Sequence, residues 1–308
     1  MHNVAFINHK QHQCGVYQYG YRTGRILKNS TAYSFAYCEV ESKEEFFSAV
    51  LPLNPIAIFY NYHPSTMSWI GSECFNAFPS AKHLGLHHEG GESGFFEWSV
   101  ILDSTFKDSG NRISVLRPLF ETVEANHKSP IPTIGSFGFG FGNKGFGRLS
   151  KVVNEQFDEA ILRLHVPAAY YGDREGLAAP CVLSACQQQL KKSKIKLEMT
   201  TGFMGDEQLL DFLASNSLNA FLYDEMAPTR GLSSVIDYAL SVRVPIAISK
   251  TVMFRHIYNT SPSICFEDRT LPEIMASGSE PLQQYRDLWS PNRFLERYEG
   301  IVKKVTGR

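Results

Sequence analysis

The chain has 308 residues, of which 43% are hydrophobic and 13% aromatic, enough apolar material to fill a buried interior and to exclude disorder as its main state. Its 30 Lys and Arg nearly balance 31 Asp and Glu, for a net charge of −1. No global basic field can therefore gather nucleic acid or an anionic membrane, and any site for a polyanion has to be local. At this length two domains of ordinary size are expected.

No run approaches the roughly 20 apolar residues of a membrane span, and the first residues lack the charged and apolar blocks of a secretory signal, so a cytoplasmic location is expected. Cys14, Cys38, Cys74, Cys181, Cys186 and Cys265 are scattered, without a zinc-type spacing. They read as free thiols in a reducing compartment, and no metal is expected.

In chain order, the apolar run Val4 to Ile7, closed by Asn8 and His9, predicts a strand. A glycine turn at Cys14-Gly15-Val16 follows, and then a helical pattern to Leu27. Residues 33–40 read as a strand, 42–50 as a helix opened by the Ser42-x-x-Glu45 box, and 56–60 as a buried strand. A helix is predicted over 67–78, with strands at 83–87, 100–102 and 113–116. The βαβαβ beat implies a parallel sheet covered on both faces.

The polar, proline-bearing stretch from Asn126 to Pro132 interrupts this pattern and reads as a linker. Beyond it strands are predicted at 132–139, 160–166, 196–199, 219–223 and 245–249. Helices are predicted at 145–156, 182–192, 205–215 and 234–242. Lys191, Lys192, Lys194 and Lys196 read as a solvated helix end. The expected organisation is α/β, with a Rossmann-like domain over 1–128, a second over 129–287 and a tail over 288–308. In such doubly wound sheets ligands bind at the carboxyl ends of the strands.

Three stretches bear on chemistry. The glycine-rich segment Gly135 to Gly147 lies where a strand ends and a helix begins, so free backbone N–H groups and Lys144 can face an anion. Its Gly140 to Gly145 portion also fits GxGxxG, but His165 stands where a dinucleotide site wants an acidic residue about 20 positions on. A P-loop is excluded because no Gly-Lys-Ser/Thr follows. The Gly15-Val16 turn is a second glycine loop, in the other half. In the third stretch Arg230, Gly231, Leu232 and Ser233 precede a helix, where the arginine and the following N–H groups can hold a phosphate; Ser234-x-x-Asp237 could equally be a capping box.

With these residues in view, the chain resembles a GT-B glycosyltransferase, two Rossmann-like doubly wound domains facing a central cleft, and more closely the retaining family 4 enzymes. The resemblance rests on Cys14-Gly15-Val16, on Ile134 to Phe139 with Asn143 to Phe146, and on Arg230 to Ser234 with Tyr238 to Ser249. It implies a nucleotide-sugar in the C-terminal half and a saccharide, lipid-linked or small-molecule acceptor in the N-terminal half. The donor and its phosphates would then be held by Gly15, Val16, Ser136, Lys144, His165, Arg230, Gly231, Leu232 and Ser233. Gly202, Phe203 and Met204 would lie beside the base. His88, after the strand ending in His87, would contact the transferred sugar as the catalytic residue. GT-B enzymes stabilise the leaving diphosphate with positive side chains and a helix N-terminus, so neither metal nor other cofactor is implied.

The chain departs from the family in two respects that touch chemistry, the first being that phenylalanines stand in the glycine loop after the first strand of the C-terminal half, where an arginine commonly sits on a phosphate. Where family 4 enzymes usually carry a pair of glutamates around the last helix, Arg230 and Tyr238 stand. Two further readings follow, a GT-B-like protein that binds a nucleotide or sugar phosphate without turnover, and a nicotinamide-dependent enzyme using Gly140 to Gly145.

Overall fold

The computed structural model describes residues 1–89, 94–127, 129–170, 172–225 and 231–308. They fall into two compact units, each built on one parallel sheet.

The first unit comprises residues 1–118 and 288–308, with Gly231 and Leu232. Its elements begin β1 (His2–Asn8), α1 (Gly15–Leu27), β2 (Tyr33–Glu39), α2 (Lys43–Val50) and β3 (Ala57–Tyr60). They continue α3 (Ser72–Asn76), β4 (Lys82–His87), β5 (Trp98–Ile101) and β6 (Arg112–Ser114). The strands pair in the order β2-β1-β3-β4-β5-β6, all parallel. Their continuous apolar runs suit a sheet buried on both faces. Val4 and Phe6 of β1 pack on one side with Ala57 and Phe59, while Ala5 and Ile7 pack on the other with Ile58 and Tyr60. Ser42 caps α2 by accepting from the Glu45 amide at 3.2 Å, the first half of the box read from sequence.

The helix expected over 67–78 is only the short α3. Met67, Ile70, Cys74 and Phe78 are all buried, so the apolar spacing is real. The chain satisfies it with turns, because Gly71 is extended at φ −148° and breaks the helix.

The second unit comprises residues 119–228, as far as they are described, and 233–287. It runs β7 (Thr133–Phe137), α4 (Phe146–Gln156), β8 (Ala160–His165), α5 (Ala178–Gln189), β9 (Ile195–Thr200) and α6 (Asp206–Ala214). It continues β10 (Leu218–Phe221), α7 (Val235–Leu240), β11 (Ile246–Ile248), α8 (Leu271–Ala276) and α9 (Gln283–Leu288). The last residue of α9, Leu288, is grouped with the first unit, as is α10 (Pro291–Thr306). Phe294, Tyr298, Ile301, Val302 and Val305 of α10 join the core that holds Tyr19 and Leu27 of α1.

The second sheet is ordered β11-β10-β7-β8-β9, again all parallel. The stretch read as a linker is bound into this unit: the Asn126 amide donates to Ala214 at 2.9 Å, and the His127 ring meets the Ser215 carbonyl and the Ser217 hydroxyl. The change of unit falls earlier, after Pro118. Helix α5 begins a turn ahead of the predicted 182 because Pro180 sits in its first turn, where no amide donor is needed.

Candidate functional site

In each sheet the strand order reverses at one place, between β1 and β3 in the first and between β7 and β10 in the second. At such switch points neighbouring connections leave on opposite faces, opening a crevice beyond the carboxyl ends of the strands. The chemistry-bearing residues collect there in both units.

In the second unit β7 runs into the glycine loop and then α4. Gly145 joins them at φ +65°, and a Cβ there would lie 1.8 Å from the Leu222 carbonyl oxygen, so only glycine allows the loop to close on the segment after β10. That closure is held by the Asp224 amide donating to the Asn143 carbonyl at 3.0 Å. It brings the Lys144 Nζ to 3.0 Å from the Tyr223 hydroxyl and 4.2 Å from the centre of its ring. The Ser233 hydroxyl donates to the same Tyr223 oxygen at 3.4 Å.

Among the described residues no carboxylate pairs with Lys144, whereas the nearby Arg148 is paired with Asp224. The ammonium rests on a tyrosine hydroxyl and ring, not on a carboxylate. Helix α4 starts without a side-chain cap, which leaves its first amide donors free to meet an anion.

The other expected donor residues are spread more widely. Ser136 is buried within β7. His165 ends β8 and bonds the Thr200 hydroxyl at 3.0 Å; burial lowers its pKa to about 4, so it is neutral and cannot add charge to a phosphate site. Gly202, Phe203 and Met204 form the loop between β9 and α6, with Phe203 46% exposed, an open aromatic face of the kind a base can stack on. Gly231 and Leu232 belong to the first unit, whereas Ser233 belongs to the second. Gly15 and Val16 open α1 in the first unit, and Gly15 has open space around it. Arg230 lies outside the described residues.

The capping box read at Ser234 is not formed. Ser234 has helical backbone angles and caps nothing with its side chain. Asp237 is fully buried. Tyr238 donates its hydroxyl to Asp206 at 2.9 Å.

In the first unit His88 directly follows β4, and its Nε2 lies 2.7 Å from Oδ1 of Asn61, the residue that follows β3. Asn61 donates to Oδ1 of Asn8 at 2.8 Å, at the end of β1. The Tyr19 ring meets the His88 imidazole edge-on at 5.3 Å. Burial, then the charges of His63, Arg117, His9 and His87, hold the His88 pKa well below the usual histidine range, so the imidazole is neutral. Close by, His9 has its pKa lowered by burial to about 4.

Sequence reading singled out His88 and Lys144 but passed over Asn8, Asn61 and Tyr223. Their signal was a polar or hydroxyl-bearing residue at the end of an otherwise apolar strand run, repeated at Ile7-Asn8, Tyr60-Asn61 and Leu222-Tyr223. Among the described residues, no group of three or more His, Cys, Asp or Glu is placed to hold a metal ion, and no helix is long and apolar enough to cross a membrane.

Neither a protein-family model nor a curated protein sequence matches the chain. Solved structures do. Anabaena HepE, in complex with UDP and glucose, aligns with TM-score 0.69 at 9% identity over 99% of this chain and 100% of that one. Sucrose-phosphate synthase from Thermosynechococcus elongatus aligns with TM-score 0.73 at 10% identity over 100% of both chains. A glycosyltransferase from Rickettsia africae aligns with TM-score 0.68 at 10% identity over 99% of this chain and 98% of that one. The fold is that of the GT-B glycosyltransferases.

Proposed function

We propose that this chain is a glycosyltransferase that moves a sugar from a nucleoside diphosphate sugar to a saccharide, lipid-linked or small-molecule hydroxyl. The observation that carries the reading is Lys144, which stands on the glycine loop at the switch point of the second sheet with only neutral partners. When the bond between sugar and phosphate breaks, negative charge grows on the departing diphosphate. A fixed ammonium and the uncapped start of α4 stabilise that charge. The proposed reaction invokes no metal.

UDP is the proposed nucleotide, since a similar Anabaena protein is solved with UDP and glucose. The first unit takes the acceptor, and His88 serves the sugar; the resemblance to retaining family 4 enzymes supports both assignments. The reading also places the enzyme in the cytoplasm, where nucleotide sugars are available.

A second reading, binding without turnover, is favoured by one observation. At the position of a family glutamate the chain has Tyr238, whose hydroxyl is committed to Asp206.

A thermal-denaturation panel of UDP, GDP, ADP and NAD tests the nucleotide site. A ligand at 100 times its Kd stabilises the folded state by about 2.7 kcal/mol. UDP is expected to raise the melting temperature and NAD to leave it unchanged. A shift with NAD alone would return the GxGxxG stretch to a dinucleotide role.

A further inference from the structure

The carboxyl ends of four adjacent strands in the first unit carry one continuous row of polar side chains: Glu39 after Tyr37 on β2, Asn8 on β1, Asn61 after β3 and His88 after β4. Helix α1 closes down on the middle of the row because Gly20 has no side chain; a Cβ there would lie 2.4 Å from Nδ2 of Asn61 and 2.7 Å from Cγ of Asn8.

Every hydrogen bond in the row has its direction fixed. Asn61 Nδ2 reaches the Val16 main-chain carbonyl at 2.7 Å, and a carbonyl can only accept, so this end of the amide is the nitrogen. The same nitrogen donates to Asn8 Oδ1 at 2.8 Å. Asn8 is fixed in the same way, because its Nδ2 reaches the Tyr17 carbonyl at 3.1 Å while its Oδ1 accepts from the His9 amide at 3.0 Å. The Asn8 nitrogen also donates to the Tyr37 oxygen at 2.8 Å. Tyr37 passes its own hydrogen to the Glu39 carboxylate at 2.9 Å, and Tyr17 donates to that carboxylate at 2.8 Å. Only Oδ1 of Asn61 is left to face His88 Nε2, and an amide oxygen only accepts.

We propose that Asn61 is a positioning residue that holds His88 in the tautomer protonated at Nε2, leaving the Nδ1 lone pair to accept a hydrogen bond from a hydroxyl of the bound sugar. The identity of the ligand rests on the functional reading above; the tautomer does not. The charged and titratable groups facing His88 are Tyr19 and His63, Arg117, His9 and His87, and the last four oppose a second proton on the ring. Among the described residues no hydrogen bond is made to Nδ1. A neutral acceptor of this kind favours a hydroxyl, which can donate, over an ether oxygen or a carboxylate, which cannot.

The test is a long-range proton–nitrogen correlation spectrum of the histidine rings in the 15N-labelled full chain at neutral pH. His88 is assigned by the signals lost in His88→Gln. The expected pattern is a protonated Nε2 beside an unprotonated Nδ1. Protonation at Nδ1, or at both nitrogens, overturns the proposal. In Asn61→Leu, which removes the acceptor, a signal from Nδ1-protonated His88 is expected to appear; an unchanged His88 pattern means that Asn61 does not set the tautomer.

Should Asn61→Leu not fold, Asn61→Asp tests the contact between residue 61 and His88, while the spectrum of the unmodified chain still decides the tautomer. Its carboxylate still accepts from Nε2 and should raise the pH at which His88 takes its second proton, by about 1 to 3 pH units for an opposite charge at this range. No upward movement in this variant counts against the proposal. Because none of these readouts needs turnover, a correct tautomer in a protein that transfers no sugar keeps this inference and removes the functional one.

Discussion

Lys144→Ala is expected to weaken UDP binding by roughly 10- to 150-fold, the equivalent of about 1.5 to 3 kcal/mol for a hydrogen bond to a charged group. The loss should appear in affinity and leave the fold intact. Tyr223, the residue that holds the ammonium, keeps the Ser233 hydroxyl as a partner when the lysine is removed. Gly145, which shapes the loop, is untouched. Titration calorimetry with UDP reads the effect, and a parallel melting curve separates it from unfolding. An unchanged Kd in a stable variant would mean that the charge does not meet the diphosphate, and the phosphate site would have to be sought elsewhere.

His88→Ala should behave in the opposite way, lowering kcat on a nucleotide-sugar by roughly 2- to 12-fold while the Kd for UDP stays near that of the unmodified chain. The magnitude is that of one hydrogen bond between neutral groups, about 0.5 to 1.5 kcal/mol. The separation follows from position. His88 is built into the first unit, on Asn61 and beside Tyr19, whereas Lys144 is built into the second on Tyr223. A contact that strengthens only as the sugar departs changes turnover without changing nucleotide affinity. A histidine that merely supported the polar row would lower stability and both measurements together. Full activity in a stable His88→Ala protein would end its role on the sugar.

Much of this architecture was legible because parallel strands buried on both faces announce themselves as short apolar runs. The strands read at 4–7, 56–60 and 219–223 needed no periodicity to be found, and the last two stand at Ala57–Tyr60 and Leu218–Phe221. The glycine loop was equally visible, since Gly145 has to adopt a backbone angle that other residues avoid.

Harder to read were features decided by tertiary partners. Met67, Ile70, Cys74 and Phe78 have helical spacing, yet burial alone set that spacing and a turn-rich path satisfies it. The stretch from Asn126 to Pro132 looked like a free linker by composition, but its His127 is held by main-chain and side-chain groups far along the sequence. Ser234 and Asp237 have the letters of a capping box, but the cap needs an extended residue at Ser234, and the backbone there is already helical.

The site followed the same division. Lys144 and His88 could be found because charge and imidazole stand out at strand ends. The asparagines between β1, β3 and β4 could not, because an asparagine's value lies in which neighbours fix its two ends. Strand order supplies those neighbours, and strand order is not written locally. The switch points between β1 and β3 and between β7 and β10 became visible only when the sheets were assembled.

Nucleotide release reads sugar transfer from a nucleoside diphosphate donor directly. The full chain is incubated with UDP-glucose and UDP-galactose, with and without saccharide and lipid-linked acceptors, and free UDP is quantified together with the sugar product. Acceptor-stimulated UDP release that falls in both Lys144→Ala and His88→Ala is the predicted result. UDP that binds tightly to the unmodified chain while no donor is turned over would contradict it and leave a binding protein.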